Sequence, residues 1–399
     1  MTPTLSLTNR RLELADILRQ HIADYQKRYP LPALQRRIVA DLLNCRTATL
    51  GGHLQRCPHC GHQRIQYHSC RNRHCPTCQH LPRERWLAAR TSELLPTAYF
   101  HVVFTLPHAL NPIVLKHKAP LLNTLFAAVS ETLLVFGQNK LGGRLGFISI
   151  LHTWDQKLKA HFHLHCLVAG GVISADWNTW SASPNRYLFN AQALSQVFRG
   201  KLMARLTHAV NTHQISLPPN SYPALNDRLY ANPWVVSVRP PIRPPQHVLE
   251  YLARYTYRVA ISNQRLVELK DGQVTFRYKD RQSHQNLPLT LEAVEFIRRF
   301  LLHSLPAGFV RIRHYGFWAN RYRQEHLAKI KHALALPTES NRTTDSLPSM
   351  MLSLTGIDFT RCPNCRKGSL QTVAEIPKIS SGCRRQIIRA PTAAMRAAA

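Results

Sequence analysis

Three histidines occupy alternate positions in the stretch HFHLHCLVA, which runs from residue 161 to residue 169. Alternate residues of a β-strand point to one face, so the imidazoles of His161, His163 and His165 would lie on the same side. Imidazole is a frequent ligand of divalent transition metals and takes Mn²⁺ or Zn²⁺ better than Mg²⁺. The spacing therefore indicates a divalent metal site in which phosphate and water oxygens complete the coordination of the ion.

A third protein ligand is expected from the strand that precedes these histidines. The segment from Phe147 to His152 should pair with the histidine strand through an intervening turn. His152 and Asp155 would both come within reach, and His152 is preferred because its position within a strand is better defined. His161 shares the face of His163 and is either a further ligand or a neighbour.

Two tyrosines stand four residues apart in the segment HVLEYLARYTYRVAISN, whose apolar residues have the spacing of an amphipathic helix. Tyr251 and Tyr255 would therefore share one face of that helix. A phenol that attacks a phosphodiester keeps the energy of the broken bond in a phosphotyrosine link, which a later hydroxyl can reverse. The ordinary pKa of the phenol is about 10, so it is a weak nucleophile at neutral pH. A metal ion, Arg254 or Arg258 nearby would have to activate it. Paired tyrosines more often pack at the edge of a core, so the spacing by itself leaves both roles open.

Four cysteines form two Cys-x-x-Cys pairs, Cys57 with Cys60 and Cys75 with Cys78, separated by fourteen residues. In a reducing compartment this arrangement predicts a zinc site with four thiolate ligands rather than disulfides. Such a site stabilises a small domain, and arginines around it would also let the module contact nucleic acid. Substitute ligands close in sequence are Cys70, His53, His62, His74 and His80.

A further pair, Cys362 and Cys365, lies in the C-terminal region and makes only half of such a site. Cys383 could add a third ligand, but an unligated pair is an equally good interpretation. The chain beyond about residue 330 is rich in Pro, Ser, Thr and Asn and ends in a basic, alanine-rich stretch, which predicts disorder.

The overall charge indicates the kind of partner. The chain has 399 residues, with 52 Lys and Arg against 21 Asp and Glu, and a formal net charge of +31. This excess predicts a polyanionic partner, nucleic acid above all. Neither an uncharged apolar run of about 18 residues nor an apolar N-terminal leader is present, so a membrane or exported protein is not expected. We expect a soluble, cytoplasmic protein whose ten cysteines are reduced.

The elements that must position these residues mix helices with strands, which predicts an α+β fold. Asp271 and Gly272 predict the turn of a hairpin. We expect three parts: a helical segment with a zinc-binding module over 1–95, a catalytic domain over 96–325, and a flexible basic tail over 326–399. Helices are predicted over about 9–45, 112–137, 191–213, 246–260 and 290–303, and strands over about 101–106, 147–152, 161–169, 234–238 and 309–312.

Together these residues resemble the rolling-circle insertion-sequence transposases of the HUH two-tyrosine class, which are IS91-like, over most of residues 45–320. The resemblance implies an HUH-endonuclease-like antiparallel sheet with flanking helices, preceded by a helical and zinc-binding N-terminal domain. It also implies that His163-Leu164-His165 is the HUH metal motif and that Tyr251 and Tyr255 are the nucleophiles. The stretches that carry it are CPHCG with SCRNRHCPTCQ, FHVVFTLP, LHTWDQKLKAHFHLHCLVAGG, YLARYTYRVAISN and EFIRRFLLHSLPAGFVRIRHYG.

The activity implied by this resemblance is the cleavage and rejoining of single-stranded DNA through 5′-phosphotyrosine intermediates. Its cofactors would be structural Zn²⁺ and catalytic Mg²⁺ or Mn²⁺, and its partners the single-stranded ends of an insertion sequence and the target. A prokaryotic, nucleoid-associated protein is then expected. Arginines expected to contact DNA are Arg71, Arg73, Arg254 and Arg258.

Two rival interpretations share parts of this pattern. A plasmid replication initiator or a relaxase would use the same metal and tyrosine chemistry, but the zinc module and the stretch FIRRFLLHSLPAGFVRIRHYG favour transposition. A zinc-dependent DNA-binding regulator would keep the histidines and tyrosines as structural residues only.

Overall fold

The computed structural model describes residues 11–91, 93–184, 187–242, 247–248, 260–280, 282–337 and 346–379. The chain divides into two compact units. The first comprises residues 1–35 and 79–339, and the second comprises residues 36–78 and 340–399. The second unit thus combines two segments that are far apart in the sequence.

Two of the helices show how charge and glycine favour helix ends. Helix α1 has Asp16 in its first turn and Lys27 and Arg28 in its last, which complements the helix dipole. Helix α5 ends at Gly142, whose φ of 74° is left-handed. The helices that lie wholly within the described ranges are α1 (Leu14–Arg28), α2 (Ala33–Leu43), α3 (His80–Thr91), α4 (Asn111–Lys116), α5 (Lys118–Leu141), α6 (Ala191–Asn211), α7 (Ser221–Ala231), α8 (Ala293–Leu302), α9 (Arg323–Ala333) and α10 (Leu347–Thr355).

The run YFHVVFT, residues 99–105, shows the β-branched and aromatic composition that favours a strand. The predicted hairpin turn is confirmed, with Asp271 and Gly272 both at positive φ, 49° and 72°. The strands are β1 (Gly52–Arg56), β2 (Gln63–Tyr67), β3 (Tyr99–Thr105), β4 (Arg144–Trp154), β5 (Ala160–Ile173), β6 (Trp180–Ala182), β7 (Val236–Val238), β8 (Leu266–Lys270), β9 (Gln273–Lys279), β10 (Asn286–Glu292), β11 (Ile312–Gly316) and β12 (Gln371–Ile376).

The central sheet of the first unit has six strands in the order β11-β4-β5-β3-β7, with β6 paired to β5. All of these pairs are antiparallel. In this register His152 lies opposite His163, and Ile150 lies opposite His165. The two longest strands, β4 and β5, therefore carry the predicted metal ligands side by side.

Both faces of this sheet are covered. On one face, Phe104, Phe147 and Leu164 pack in a large core with residues of α5 and α6. On the other face, Ile150 and Leu167 pack in a second core with residues of α3 and α9. The alternation of side chains along each strand assigns the histidines to this second face, because His163 and His165 have the parity of Leu167.

Helix α5 is long and apolar enough to cross a membrane by length and composition. Its buried residues nevertheless lie in the large core beside the sheet, among them Leu125, Phe126 and Val129. A helix that is apolar on most sides is expected in such a position, since neighbouring elements surround it.

A second antiparallel sheet in the same unit contains β8, β9 and β10. Helix α1 lies beside it, because Arg28 forms an ion pair of 2.6 Å with Glu292. The backbone N–H of Leu14 also donates to Asn263 Oδ1 at 3.2 Å. Helix α1 therefore packs with residues of the predicted catalytic domain, although it belongs to the segment predicted over 1–95.

The second unit contains a three-stranded sheet in the order β12-β1-β2. Strand β12 pairs with β1 along its length, from Gly52 opposite Ile376 to Arg56 opposite Gln371. The expectation of a flexible tail over 326–399 is therefore wrong for residues 346–379, which include α10 and β12. The composition of this segment is polar, but backbone pairing with β1 gives it a defined structure.

The α+β prediction, with an antiparallel sheet, flanking helices and a zinc-binding segment before it, is confirmed. The strand expected over 309–312 is shifted to Ile312–Gly316. Pairing with β4 starts near Arg311, whose carbonyl accepts from Leu151 N–H at 2.9 Å, and Val310 before it is exposed. Most of the helix predicted over 246–260 lies outside the described residues.

Candidate metal centre and cysteine clusters

Three histidines meet on the second face of the central sheet. His163 and His165 lie on β5, and His152 lies opposite His163 on β4. One ring nitrogen of each lies within 4.8 Å of the others. Only 5%, 8% and 7% of His152, His163 and His165 is exposed. Residues opposite one another in an antiparallel pair are about 5 Å apart, so the register brings the three rings together.

The ring nitrogens have a spacing that suits ligands of one ion. The Nε2 atoms of His163 and His165 are 3.0 Å apart. Two ligands that lie about 2.1 Å from an ion, at right angles to each other, are also about 3.0 Å apart. The ring centroid of His152 lies 4.5 Å from that of His165 and 5.4 Å from that of His163. The donor set therefore fits a divalent ion that keeps open positions for oxygen ligands.

Hydrogen bonds behind two of these rings orient them. His163 Nδ1 lies 3.0 Å from the carbonyl oxygen of His161, which can only accept, so Nδ1 carries the proton. His165 Nδ1 lies 2.8 Å from Nε2 of His101 on β3. With the proton of His165 on Nδ1, Nε2 keeps its lone pair for a metal. Such hydrogen bonds behind a ligating imidazole are usual in metal sites.

Burial favours the neutral form of His165 and of the His101 ring behind it. The pKa of His165 lies well below its ordinary value, mainly because of burial and further because His152 and His163 oppose a second positive charge beside them. Burial also lowers the pKa of His101 to about 4, with Arg239 acting in the same direction. A neutral imidazole is the form that binds a metal ion.

The two residues that the sequence left open lie outside this trio. The ring of His161 lies 4.8 Å from that of His163, and its Nδ1 is 3.1 Å from Nε2 of His108. Asp155 caps the turn between β4 and β5, where its Oδ1 accepts from the N–H groups of Lys157 and Lys159 at 2.9 and 2.7 Å. His152 is thus the residue of β4 whose nitrogen converges with those of His163 and His165.

The predicted nucleophiles Tyr251 and Tyr255 lie outside the described residues, as do Arg254 and Arg258. Val248, which precedes Tyr251 by three positions, is fully buried in the core on the second face of the sheet. The same core holds Ile150 and Leu167, which flank His165 on that face.

The predicted zinc ligands are divided between two groups of four cysteines. We call them the N-terminal cluster and the split cluster. Cys75 and Cys78 belong to the N-terminal cluster, and Cys57 and Cys60 belong to the split cluster. The prediction that these four cysteines bind one zinc ion together is therefore wrong. The N-terminal cluster is Cys45, Cys70, Cys75 and Cys78, and the split cluster is Cys57, Cys60, Cys362 and Cys365.

The N-terminal cluster brings the end of α2 to a loop. Cys78 Sγ lies 3.4 Å from Cys45 Sγ and 3.6 Å from Cys70 Sγ, and Cys75 Sγ lies 3.7 Å from Cys45 Sγ. Sulfurs bound at about 2.3 Å to one tetrahedral zinc ion are about 3.8 Å apart, so the spacing suits zinc. Strands β1 and β2 form a hairpin between Cys45 and Cys70, which carries Cys57 and Cys60 away from this cluster.

The arginines expected near the zinc module differ in exposure. Arg71 is exposed at φ 53° in the loop after Cys70, and Arg73 is half-buried in the same loop. Arg71 is therefore open to a polyanion in the described part of the second unit.

Two participants were missed by sequence reasoning. His101 belongs to the stretch FHVVFTLP, but one histidine in an apolar strand gives no sign of a role behind His165. Cys45 follows α2 and has no Cys-x-x-Cys partner, so only the total of ten cysteines indicated that it could be a zinc ligand.

Family models match two parts of the chain. Residues 146–326, which include most of β4 and all of β5, match the family described as "Putative transposase". Residues 17–106, which include the whole N-terminal cluster, match the "Transposase zinc-binding domain". Structural zinc is therefore supported by both the family and the cysteine geometry.

Two curated relatives cover most of the chain. "Putative transposase y4qJ" of Sinorhizobium fredii is 42% identical over 90% of this chain and 94% of its own length. The "Transposase for insertion sequence element IS801" of Pseudomonas savastanoi pv. phaseolicola is 25% identical over 84% of this chain and 83% of its own length.

A solved structure, "Conjugative Relaxase TrwC in complex with mutant OriT Dna", matches 59% of this chain and 73% of its own with 14% identity and a TM-score of 0.23. A TM-score of this size does not establish a shared fold, so the fold class is taken from the antiparallel sheet itself. With 42% identity to a transposase over nearly the full length of both chains, and with the matching zinc-binding domain, this chain belongs to the IS91-like family of insertion-sequence transposases.

Proposed function

We propose that this transposase cleaves and rejoins single-stranded DNA through 5′-phosphotyrosine intermediates, in the manner of rolling-circle transposition. The observation that supports this most is the trio of buried imidazoles, whose lone pairs converge on one face of the sheet. The trio resembles a divalent metal site, and Val248, three positions before Tyr251, is buried in the core on the same face.

In the proposed reaction the phenolic oxygen of Tyr251 or Tyr255 attacks the phosphorus of a phosphodiester. The new bond joins tyrosine to the 5′-phosphate, the bond from phosphorus to the 3′-oxygen breaks, and the proton lost by the phenol balances the one gained by the 3′-hydroxyl. Attack by a 3′-hydroxyl of another end reverses these bonds and frees the tyrosine. Two tyrosines would let the donor and target strands be exchanged in sequence.

His152, His163 and His165 would hold Mg²⁺ or Mn²⁺, which would polarise the scissile phosphate. The chain itself supplies the orientation of this site. The carbonyl of His161 and the ring of His101 fix the tautomers of His163 and His165, so that both Nε2 atoms point into the trio. A phosphate bound at this trio would be a negative charge held by a protein whose formal net charge is +31, so electrostatic attraction favours its binding.

Transposition requires DNA as the partner, and the proposal specifies single-stranded element ends and a single-stranded target. Phosphate contacts are assigned to Arg71 and Arg73 in the second unit and to Arg254 and Arg258 beside the tyrosines. Binding that depends on such contacts weakens steeply as salt rises. We place this activity in the cytoplasm, at the nucleoid.

The proposal is tested by mapping a covalent adduct. Purified protein is incubated with labelled single-stranded DNA that carries the element's end, together with Mg²⁺ or Mn²⁺, and the adduct is digested and sequenced by mass spectrometry. We expect label on Tyr251 or Tyr255 and a free 3′-hydroxyl on the released strand.

Other outcomes would contradict the proposal. Cleavage without any protein–DNA adduct would mean that water is the nucleophile. An adduct on another tyrosine would overturn the assigned residues. Adducts formed only with plasmid origins, and never with element ends, would favour a replication initiator or a relaxase.

The hydrogen bond between His101 and His165 makes a separate prediction. We expect His101→Ala to weaken Mn²⁺ binding by about 10–100-fold, because His165 loses the acceptor that fixes its tautomer. Isothermal titration with Mn²⁺ measures the affinity, and DNA cleavage at rising Mn²⁺ shows whether excess metal restores activity. Rescue by metal, and partial rescue by His101→Gln, would not follow from a folding defect.

The matched control is His108→Ala. His108 is exposed and contacts the ring of His161 rather than that of His165. Its substitution should leave Mn²⁺ affinity nearly unchanged. Equal losses in the two variants would contradict a specific role for His101.

A further inference from the structure

We propose that the split cluster holds a second zinc ion, which ties the C-terminal segment into the zinc-binding domain. The matched zinc-binding domain covers residues 17–106, so it contains Cys57 and Cys60 but neither Cys362 nor Cys365. The domain is then discontinuous, with one pair of ligands on each side of the catalytic part.

The four sulfurs have the spacing of a tetrahedral thiolate site. Cys57 Sγ lies 3.7 Å from Cys365 Sγ, and Cys60 Sγ lies 3.6 Å from Cys362 Sγ. All four lie within 4.8 Å of one another. Sulfurs at about 2.3 Å from a zinc ion are about 3.8 Å apart in a tetrahedron. A disulfide requires about 2.05 Å, and all four thiols are free.

The two Cys-Pro-x-Cys segments, residues 57–60 and 362–365, fold into the same turn. In each, the N–H of the residue after the second cysteine, Gly61 or Arg366, donates to the carbonyl of the first cysteine at 2.9 Å. These two residues also share a left-handed backbone, with φ values of 70° and 56°. A turn of this kind presents both of its sulfurs to one side, and such paired turns are usual in zinc sites.

Gly368 shows that the two segments approach closely. A Cβ atom at this position would lie 2.6 Å from Cys57 Sγ and 2.8 Å from Cβ of His59. The N–H of Gly368 also donates to Cys365 Sγ at 3.5 Å, as expected beside a thiolate. The residue is thus required to be small where the C-terminal segment meets the first pair of ligands.

Apolar burial contributes little to the attachment of β12. Five of its six residues are exposed, and Val373 keeps 54% of its surface. The sulfurs of Cys57 and Cys362, by contrast, belong to residues that are fully buried. A bound ion therefore supplies a cross-link that the hydrophobic effect does not, since metal binding and folding are coupled in small domains of this type.

The donor set selects the ion. Four thiolates in a tetrahedron suit a single Zn²⁺ or iron ion, and sulfurs 3.6 and 3.7 Å apart leave no place for the inorganic sulfide of a cluster. Binding releases the thiol protons to solvent and changes no oxidation state. Because Cys57 and Cys60 lie within the matched zinc-binding domain, we assign Zn²⁺.

The test is the zinc content of the full-length protein by elemental mass spectrometry, compared with protein concentration. With the histidine trio filled by excess Mn²⁺, we expect about two zinc ions per chain in the unaltered protein, and about one in Cys362→Ser/Cys365→Ser and in Cys57→Ser/Cys60→Ser. Combining these four substitutions should still leave about one, because both pairs serve the same ion. Cys45→Ser/Cys70→Ser should remove the other ion instead.

Several results would overturn the proposal. One zinc ion in the unaltered protein would be enough, and so would iron in its place. If Cys362→Ser/Cys365→Ser retained both ions, Cys57 and Cys60 would have to bind zinc together with ligands other than Cys362 and Cys365.

A second measurement covers variants that fail to fold. Cys365→His keeps four ligands and should retain about two metal ions. When the protein is reconstituted with Co²⁺, this variant should lose part of the sulfur-to-cobalt absorption. An unchanged spectrum would show that Cys365 is not a ligand, whether or not the serine variants are stable.

Discussion

A chain that carries both Tyr251→Phe and Tyr255→Phe is expected to form no covalent adduct with DNA. Phenylalanine keeps the ring, and hence its packing, but lacks the oxygen that would attack phosphorus. We expect the rate of cleavage of single-stranded element ends to fall by about 10⁴-fold or more, as is usual when a nucleophile is removed. Denaturing gels of labelled DNA measure both the adduct and the cleaved strand.

The matched control is Tyr257→Phe. Tyr257 lies two positions after Tyr255, so it falls on a different face of the predicted helix and should leave cleavage nearly unchanged. Binding of the double variant to uncleaved DNA should persist, which separates loss of chemistry from loss of fold. Undiminished cleavage by the double variant would exclude both tyrosines as nucleophiles.

His163→Ala is expected to lower the rate of cleavage by about 10³-fold or more, because a Lewis acid contributes several kcal/mol and each tenfold corresponds to about 1.4 kcal/mol. The same variant should bind DNA normally, since His163 lies in a buried trio rather than on the basic surface. Cleavage assays over a range of Mn²⁺ concentrations, with DNA binding measured in parallel, check this.

His161→Ala is the matched control for this prediction. The alanine backbone keeps the carbonyl that accepts from His163 Nδ1, and the ring of His161 lies outside the converging trio. We expect a loss of less than about tenfold. Equal losses in the two variants would instead make His161 a ligand.

Local sequence was sufficient for features that depend on neighbouring residues. The alternation along β5 predicted that His163 and His165 share a face, because side chains of a strand repeat every two residues. The Cys-x-x-Cys spacing likewise predicted which cysteines act in pairs, since each pair shares one tight turn. The turn between β4 and β5 is also short, so the sequence could predict that His152 lies close to His163.

Domain membership was less accessible to sequence. Helix α1 precedes the zinc module in the chain, yet its ends contact Asn263 and Glu292. The polar segment around Cys362 has the composition of a disordered tail, yet β12 completes a sheet with β1. In both cases long-range contacts prevail over local composition, which describes only the segment's own preferences.

The metal centre and the cysteine clusters show what the sequence determined and what it left to the tertiary structure. Sequence alone determined that His163 and His165 point to one side and that two cysteine pairs offer thiolates. Only the tertiary structure decided that His101, 64 residues before His165, stands behind it, and that Cys57 faces Cys365, 308 residues away. The physical reason is that strand and turn geometry follow from a few bonds. The pairing of distant strands and turns depends instead on which surfaces the whole chain buries together.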